Sequence, residues 1–440
     1  MKTSVVLVAL ALAACAPALR STKPSAQAGP SGQAGQAAKA GAAPDNKVTQ
    51  VELEPIKIEA VKTSDGTKVD AYDAASLFEQ AGADLEAQRY DEAIKGYDRL
   101  VANFPDSRYV VAALYNAGLA LEGKQDFAGA ATRYRAIVEK HPQATKDVLD
   151  ALFRMGACYA EVNNWASSAE AFGHLLERTD LALGDRVEAL ARRGLAQFQL
   201  KDLPAAERTF REALNVFHAN EATERLDNDF FVAMSQFYLG EIAHDNFRAL
   251  PLRLPQKQLA VDLEAKAEAL LATQARYVDT ARIKNPAWAT AAGHQIATLY
   301  KEFYDAMLNA PMPPELKTDE LKKIYFEELR VKIEPLLRKA IHAHELTLGV
   351  AERFGLDNDW VRKSNEEMAQ LRSLLNPSEK GTGPSPATGS GGKSGAVQPA
   401  STPAQPAATT PAATPGAPDD ATPRTPRPRP SDEYRPRVVL

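Results

Sequence analysis

Between residues 74 and 218 the sequence repeats itself, and an internal period of a few tens of residues constrains the fold more than any other feature. A unit of that length cannot bury its own apolar face and has to stack on its neighbours. Tyr90-Asp91-Glu92-Ala93-Ile94 with Tyr97, Leu100 and Phe104-Pro105 returns as Phe127-Ala128-Gly129-Ala130 with Tyr134, Ile137 and His141-Pro142. Trp165, Ser168, Phe172 and Leu175 make a third copy, and Leu203, Ala206, Phe210 and Ala213 a fourth. Ahead of each copy lies another helical run: Leu77 to Leu85, Leu114-Gly118-Leu121, Leu152-Gly156-Tyr159, and Leu190-Gly194 to Phe198. Each unit is therefore a helix pair, and the equivalence of Gly118, Gly156 and Gly194 sets the period at 38 residues.

These positions resemble the tetratricopeptide repeat: a large and a small residue on the first helix, Ala and an aromatic on the second, and a closing Pro. The resemblance covers roughly Ala74 to His218 and implies an all-α solenoid of helix hairpins, with four repeats over 72–218. Gly118 and Ala130 let paired helices approach, while Tyr97, Tyr134, Phe172 and Phe210 fill the space between adjacent repeats. Ala81 stands for the consensus Gly in the first repeat, Ser168 for Ala in the third, and the closing Pro is absent after the second copy. By the same resemblance the first helices line a concave groove through Phe78, Leu85, Tyr115, Leu119, Phe153, Ala157, Leu195 and Phe198. Such an apolar, aromatic lining suits a partner's helix or extended segment. Stripe-like apolar positions also suit simple packing between helices or under the N-terminal arm. The Lys and Asn that some relatives use to clamp a C-terminal carboxylate are replaced here by Phe78 and Gly82.

Past His218 the pattern continues in degenerate form. Met234, Phe237, Tyr238 and Gly240 read as one more first helix, Leu259 to Ile283 as a long helix ended by Asn285-Pro286, and Trp288, Gly293, Ile296 and Tyr300 as another first helix. Met312-Pro313-Pro314 breaks the chain before helices at Asp319 to Phe354 and Asp359 to Leu375. Residues 219–375 thus make an irregular helical half that caps the solenoid.

The N-terminus is an address. Lys2, the apolar run Val5 to Leu12 and the small residues that follow form a secretory signal peptide over 1–14, too short for the ~20 apolar residues of a spanning helix. Leu12-Ala13-Ala14-Cys15 resembles the bacterial lipobox at all four positions, which implies acyl chains on Cys15 and a membrane attachment; an ordinary cleavage site ahead of a cysteine is the other reading. Ala16, where an aspartate would retain the protein at the inner membrane, implies the outer membrane. Residues 15–71 read as a tether, low in complexity to Asn46. Val48, Val51, Leu53, Ile56, Ile58 and Val61, interrupted by Pro55, then leave a short strand or an extended arm open. The Pro/Ala/Thr-rich segment 376–440, closing with Arg424, Arg427, Arg429, Arg435 and Arg437, reads as a disordered tail that reaches on the order of 200 Å when stretched.

Little in the chain points to chemistry. A formal net charge of -5 gives no broad field for nucleic acid. No phosphate loop, nucleophile elbow or isolated carboxylate pair is present, and no cofactor is implied. His342-Ala343-His344-Glu345 is the one histidine cluster, but i and i+2 face different ways on a helix, whereas a zinc pair wants i and i+4. With Cys15 acylated, Cys158 is the remaining thiol, read as a small core residue between Met155 and Tyr159 rather than a reactive or pairing group. The expectation is a non-enzymatic scaffold facing the periplasm that binds proteins of an envelope machine. The chain resembles periplasmic tetratricopeptide lipoproteins of barrel, secretin or pilus assembly. Asn285 to Gly293 and Pro311 to Leu316 are similar to segments of myxobacterial lipoproteins, some of them in gliding-motility complexes. The alternative is an accessory factor that regulates a cell-wall enzyme, with the arginine-proline tail on peptidoglycan.

Overall fold

The computed structural model describes residues 55–375 apart from 64, 65 and 227. The segment expected to be a signal peptide, the expected lipidation site Cys15, most of the expected tether and the C-terminal segment from 376 lie outside the described residues. Two strands come first, β1 (Lys57–Thr63) and β2 (Gly66–Tyr72), paired antiparallel with Ile58 opposite Ala71 and Ala60 opposite Val69. The choice between strand and arm thus resolves as a hairpin at the end of the tether segment. Its orientation is unusual, because Ile56, Ile58 and Val69 face solvent while the polar face turns to the helices. Arg99 sits 3.7 Å over the Tyr72 ring and bonds both Glu59 and Asp70 at 2.9 Å. Asn103 donates to the Tyr72 hydroxyl at 2.9 Å.

Thirteen helices follow among the described residues, and the first eight form the four expected hairpins. These are α1 (Ala74–Glu86) with α2 (Tyr90–Asn103), α3 (Val110–Gly123) with α4 (Phe127–Lys140), α5 (Thr145–Glu161) with α6 (Trp165–Leu176), and α7 (Leu183–Gln199) with α8 (Leu203–Asn220). Their turns share one design. A single left-handed residue closes the first helix, successively Gln88, Gln125, Asn163 and Lys201, at φ between 57° and 63°. Asp126, Asn164 and Asp202 then cap the second helix by accepting from the amides of Gly129, Ser167 and Ala205, satisfying donors that have no partner within the helix.

Sixteen residues after each glycine stands the ring that needs it. A β carbon on Gly118 would lie 2.6 Å from the Tyr134 ring, on Gly156 2.7 Å from Phe172, and on Gly194 2.6 Å from Phe210. The glycine thus opens a slot for a ring that is fully or almost fully buried, and each ring removes most of its surface from water.

The same device carries on past His218. Helix α9 (Phe230–Ala249) pairs with α10 (Gln256–Arg282), where a β carbon on Gly240 would lie 2.7 Å from the Tyr277 ring. Helix α11 (Pro286–Leu308) pairs with α12 (Asp319–Phe354), where Gly293 meets the Thr347 hydroxyl. The irregular half is therefore two further hairpins with longer second helices, closed by α13 (Asp359–Leu375). All substantial packing joins helices of the same or neighbouring hairpins, as a solenoid requires. No helix among the described residues is long and apolar enough to cross a membrane.

Candidate partner-binding face

The first helices of successive hairpins touch along one side of the stack, α1 with α3, α3 with α5, α7 with α9, α9 with α11. The eight residues expected to line a groove there divide by burial. Phe78, Leu85, Leu119, Phe153 and Leu195 are buried, and Tyr115, Ala157 and Phe198 are half-buried. Phe78 stacks on Tyr109 at 5.1 Å and Phe153 meets Phe172 edge-on at 6.3 Å. The expected apolar, aromatic lining is thus largely spent on seams. Helices about 10 Å apart leave no gap that large side chains on facing sides do not fill.

What remains on this face is more polar, and its centre is a carboxylate between the second and third hairpins. Glu122 on α3 accepts from the Tyr134 hydroxyl at 2.6 Å and from Arg154 Nη1 at 3.0 Å, while Arg154 Nε donates to the Tyr115 hydroxyl at 2.8 Å. Arg154 is nearly buried, and one hairpin on, Arg192 repeats it: Nε donates to Glu188 at 2.8 Å and the guanidinium lies 5.0 Å over the Phe231 ring. Burial pushes the Tyr134 hydroxyl and the Cys158 thiol well above their ordinary values, with Glu122 adding to both. Cys158, 2% exposed, is a core residue as expected.

A second polar seam joins α9, α10 and α11. His244, fully buried, contacts the Tyr277 hydroxyl and Glu302 at 3.0 Å each, and Tyr277 donates to Glu241 at 2.6 Å. Gln295 donates to the same Glu241 oxygen at 2.7 Å, and Arg248 forks onto Glu302. Burial raises the Glu241 carboxyl above the ordinary carboxylate range. The two histidines of the His342 cluster do face apart: His342 is exposed beside Glu345, and His344 is buried. Among the described residues no set of three His, Cys, Asp or Glu side chains is placed to hold a metal.

Sequence reasoning missed Glu122, Arg154, Glu188 and Arg192 because it followed apolar positions alone. A signal was present: Arg154 and Arg192 recur at the 38-residue period, each two residues before the slot glycine of its own first helix.

Residues 75–107 and 112–144 match the tetratricopeptide repeat family model, so the first two hairpins are tetratricopeptide repeats. No curated protein matches the chain. Similar solved structures include a tetratricopeptide repeat protein from Parabacteroides merdae, 13% identical, which covers 68% of this chain and 98% of its own at a TM-score of 0.32. Another is the C-terminal part of a repeat-containing protein from Cytophaga hutchinsonii, 14% identical, covering 69% of this chain and 96% of its own at a TM-score of 0.36. Likeness at that level carries no further weight. The repeats themselves are interaction modules: stacked hairpins present an extended face to protein partners rather than a catalytic cleft.

Proposed function

We propose that this chain is a scaffold of the bacterial cell envelope, held to a membrane through acylated Cys15, that binds proteins of an assembly, secretion, pilus or gliding machine along its row of first helices. The observation that carries the reading is the row of first helices, in which α1, α3 and α5 touch in turn and α7, α9 and α11 do the same. Half-exposed Tyr115, Ala157 and Phe198 lie there, and Glu86 and Glu161 end their helices exposed to solvent. Two half-buried rings among carboxylates favour a partner segment that brings apolar anchors and positive charge. The membrane address rests on the lipobox resemblance of Leu12 to Cys15 and on the signal-like run before it.

A photoreactive side chain at Glu161 in intact cells tests the face, with Glu139, exposed on the second-helix side, as the control. Glu161 should capture a discrete envelope protein that Glu139 does not; equal capture from both positions sinks the assignment. For the address, Cys15→Ser should abolish labelling by a palmitate analogue and release the chain from the membrane fraction.

A further inference from the structure

Helix α13 occupies the place that the first helix of a seventh hairpin would take, against α11 and α12. Its apolar contacts are Val361 and Leu371, both buried, Met368 and Leu375 at the edge of the core that α11 and α12 share, and Trp360, whose ring lies 5.9 Å from Phe237 on α9. Between those contacts lies a polar cluster that α13 completes. His294 on α11 and His344 on α12 face each other with ring centroids 5.5 Å apart, one 4% exposed and the other fully buried. Both imidazoles approach a single carboxylate, Glu367 on α13, His294 Nε2 at 3.7 Å from one oxygen and His344 Nε2 at 3.5 Å from the other. Both distances are longer than a good hydrogen bond. His294 Nδ1 bonds the buried Ser364 hydroxyl at 3.0 Å, the Trp360 ring lies 5.3 Å from His294, and His344 Nδ1 has no hydrogen-bond partner.

The charged groups around this pair are unbalanced. From α13 come Glu367 and the ammonium of Lys363, which lies 5.5 Å over Trp360 and acts on His294 as a like charge. From α12 comes only His344, since Glu345 points outward to Arg372. On the α9 side, Glu241 and His244 are engaged with Gln295, Tyr277 and Glu302. The two imidazoles are buried while the single carboxylate between them is 39% exposed, so a charge placed on the rings is poorly solvated and, with an ammonium beside it, only partly balanced.

We propose that α13 is an acid-released cap: protonation of His294, packed against His344 and Glu367, frees it from α11 and α12 while the first four hairpins stay folded. Burial holds docked His294 down to about 4, with His344 and Lys363 opposing its charge and Glu367 favouring it. Released, the same ring titrates near the ordinary imidazole value of about 6.5. Between those two values the released form binds a proton that the docked form does not, so each step down in pH favours release. Glu367 acts in the same direction at lower pH. Its contacts with the two imidazoles outweigh burial and hold its carboxyl below the ordinary range, so docking also weakens as it protonates. Release bares the α11–α12 surface to any helix able to add to the stack.

Hydrogen exchange of the full-length chain, normalised to intrinsic rates, tests this between pH 7.5 and 4.5. Protection of 359–375 should fall at least tenfold, centred roughly on pH 5, with protection of 110–220 unchanged. The doubly substituted His294→Gln, His344→Gln chain should lose that pH dependence. If its α13 is already unprotected at pH 7.5, Glu367→Gln decides instead, since docked His294 without that carboxylate is harder to protonate and release should move to higher pH. Protection of α13 that stays flat to pH 4.5, falls together with 110–220, or keeps its wild-type pH dependence in either variant overturns the proposal.

Discussion

The first four hairpins and the last two solve the same packing problem with different chemistry. In α3 to α8 each hairpin closes when a ring drops onto a glycine, and the nearly buried charges are two arginines that each find a carboxylate, Arg154 with Glu122 and Arg192 with Glu188. In α9 to α13 the slots persist but titratable groups crowd the seams: His244, Glu241 and Glu302 in one, His294, His344 and Glu367 in the next. A ring on a glycine is insensitive to pH and tolerates no added atom. A buried imidazole beside a carboxylate tolerates little change of charge. The solenoid therefore has a sterically fixed body and an electrostatically conditioned end.

Four experiments break or sharpen that contrast, in descending order of effect. Gly156→Val places a branched side chain where even a β carbon would lie 2.7 Å from the Phe172 ring, and should cost at least about 3 kcal/mol in thermal or denaturant unfolding. A small loss would mean that the ring moves freely and the body is not sterically fixed. Glu122→Ala strips the carboxylate from nearly buried Arg154 and from the Tyr134 hydroxyl. It should cost about 2–3 kcal/mol, with hydrogen exchange rising first in α3 and α5; an effect under about 0.5 kcal/mol would show that Glu122 locks nothing. In the last hairpin, Gly293→Ala collides with the Thr347 hydroxyl rather than with a ring. Adding Thr347→Ala should recover roughly 1 kcal/mol of that loss in a double-mutant cycle, and additive costs would show that the two do not touch. Gly349, inside α12, is a plain helix glycine, since a β carbon added there would meet nothing within 4 Å. Gly349→Ala should therefore stabilise α12 by about 0.5–1 kcal/mol, and a loss there would reveal a close contact at this position.

Much of the body was legible because its signals are local. Turn, cap, small residue and ring fall within one 38-residue unit, and the αL residue at Gln125 or Asn163 sits one place before an Asp or Asn cap. In the last two hairpins the first helices were recognisable from Gly240 and Gly293. Their partners Tyr277 and Thr347 were not, because long second helices and the break at Met312 to Pro314 remove the fixed spacing. The hairpin of β1 and β2 escaped for another reason. Its apolar alternation points to a buried face, yet the polar face is the one that Arg99 and Asn103 draw against α2.

The candidate face shows where local reading ends. Phe78, Leu119 and Phe153 stand at the positions a groove would use, and the spacing that puts them on one side of a helix is fixed by 3.6 residues per turn. Whether that side meets water or a neighbouring helix depends on how closely hairpins stack, which is set by side chains tens of residues away. Sequence alone determined the helix pairs, their period and the small residues that let paired helices approach, since these depend on dihedral preference and volume within a unit; that Tyr134, Phe172 and Phe210 sit on the glycines of their own hairpins came from the structure. Tertiary structure decided which apolar side chains are spent in seams. It also brought His294, His344 and Glu367 together from three helices, because charges far apart in the chain acquire a common environment only when the helices dock.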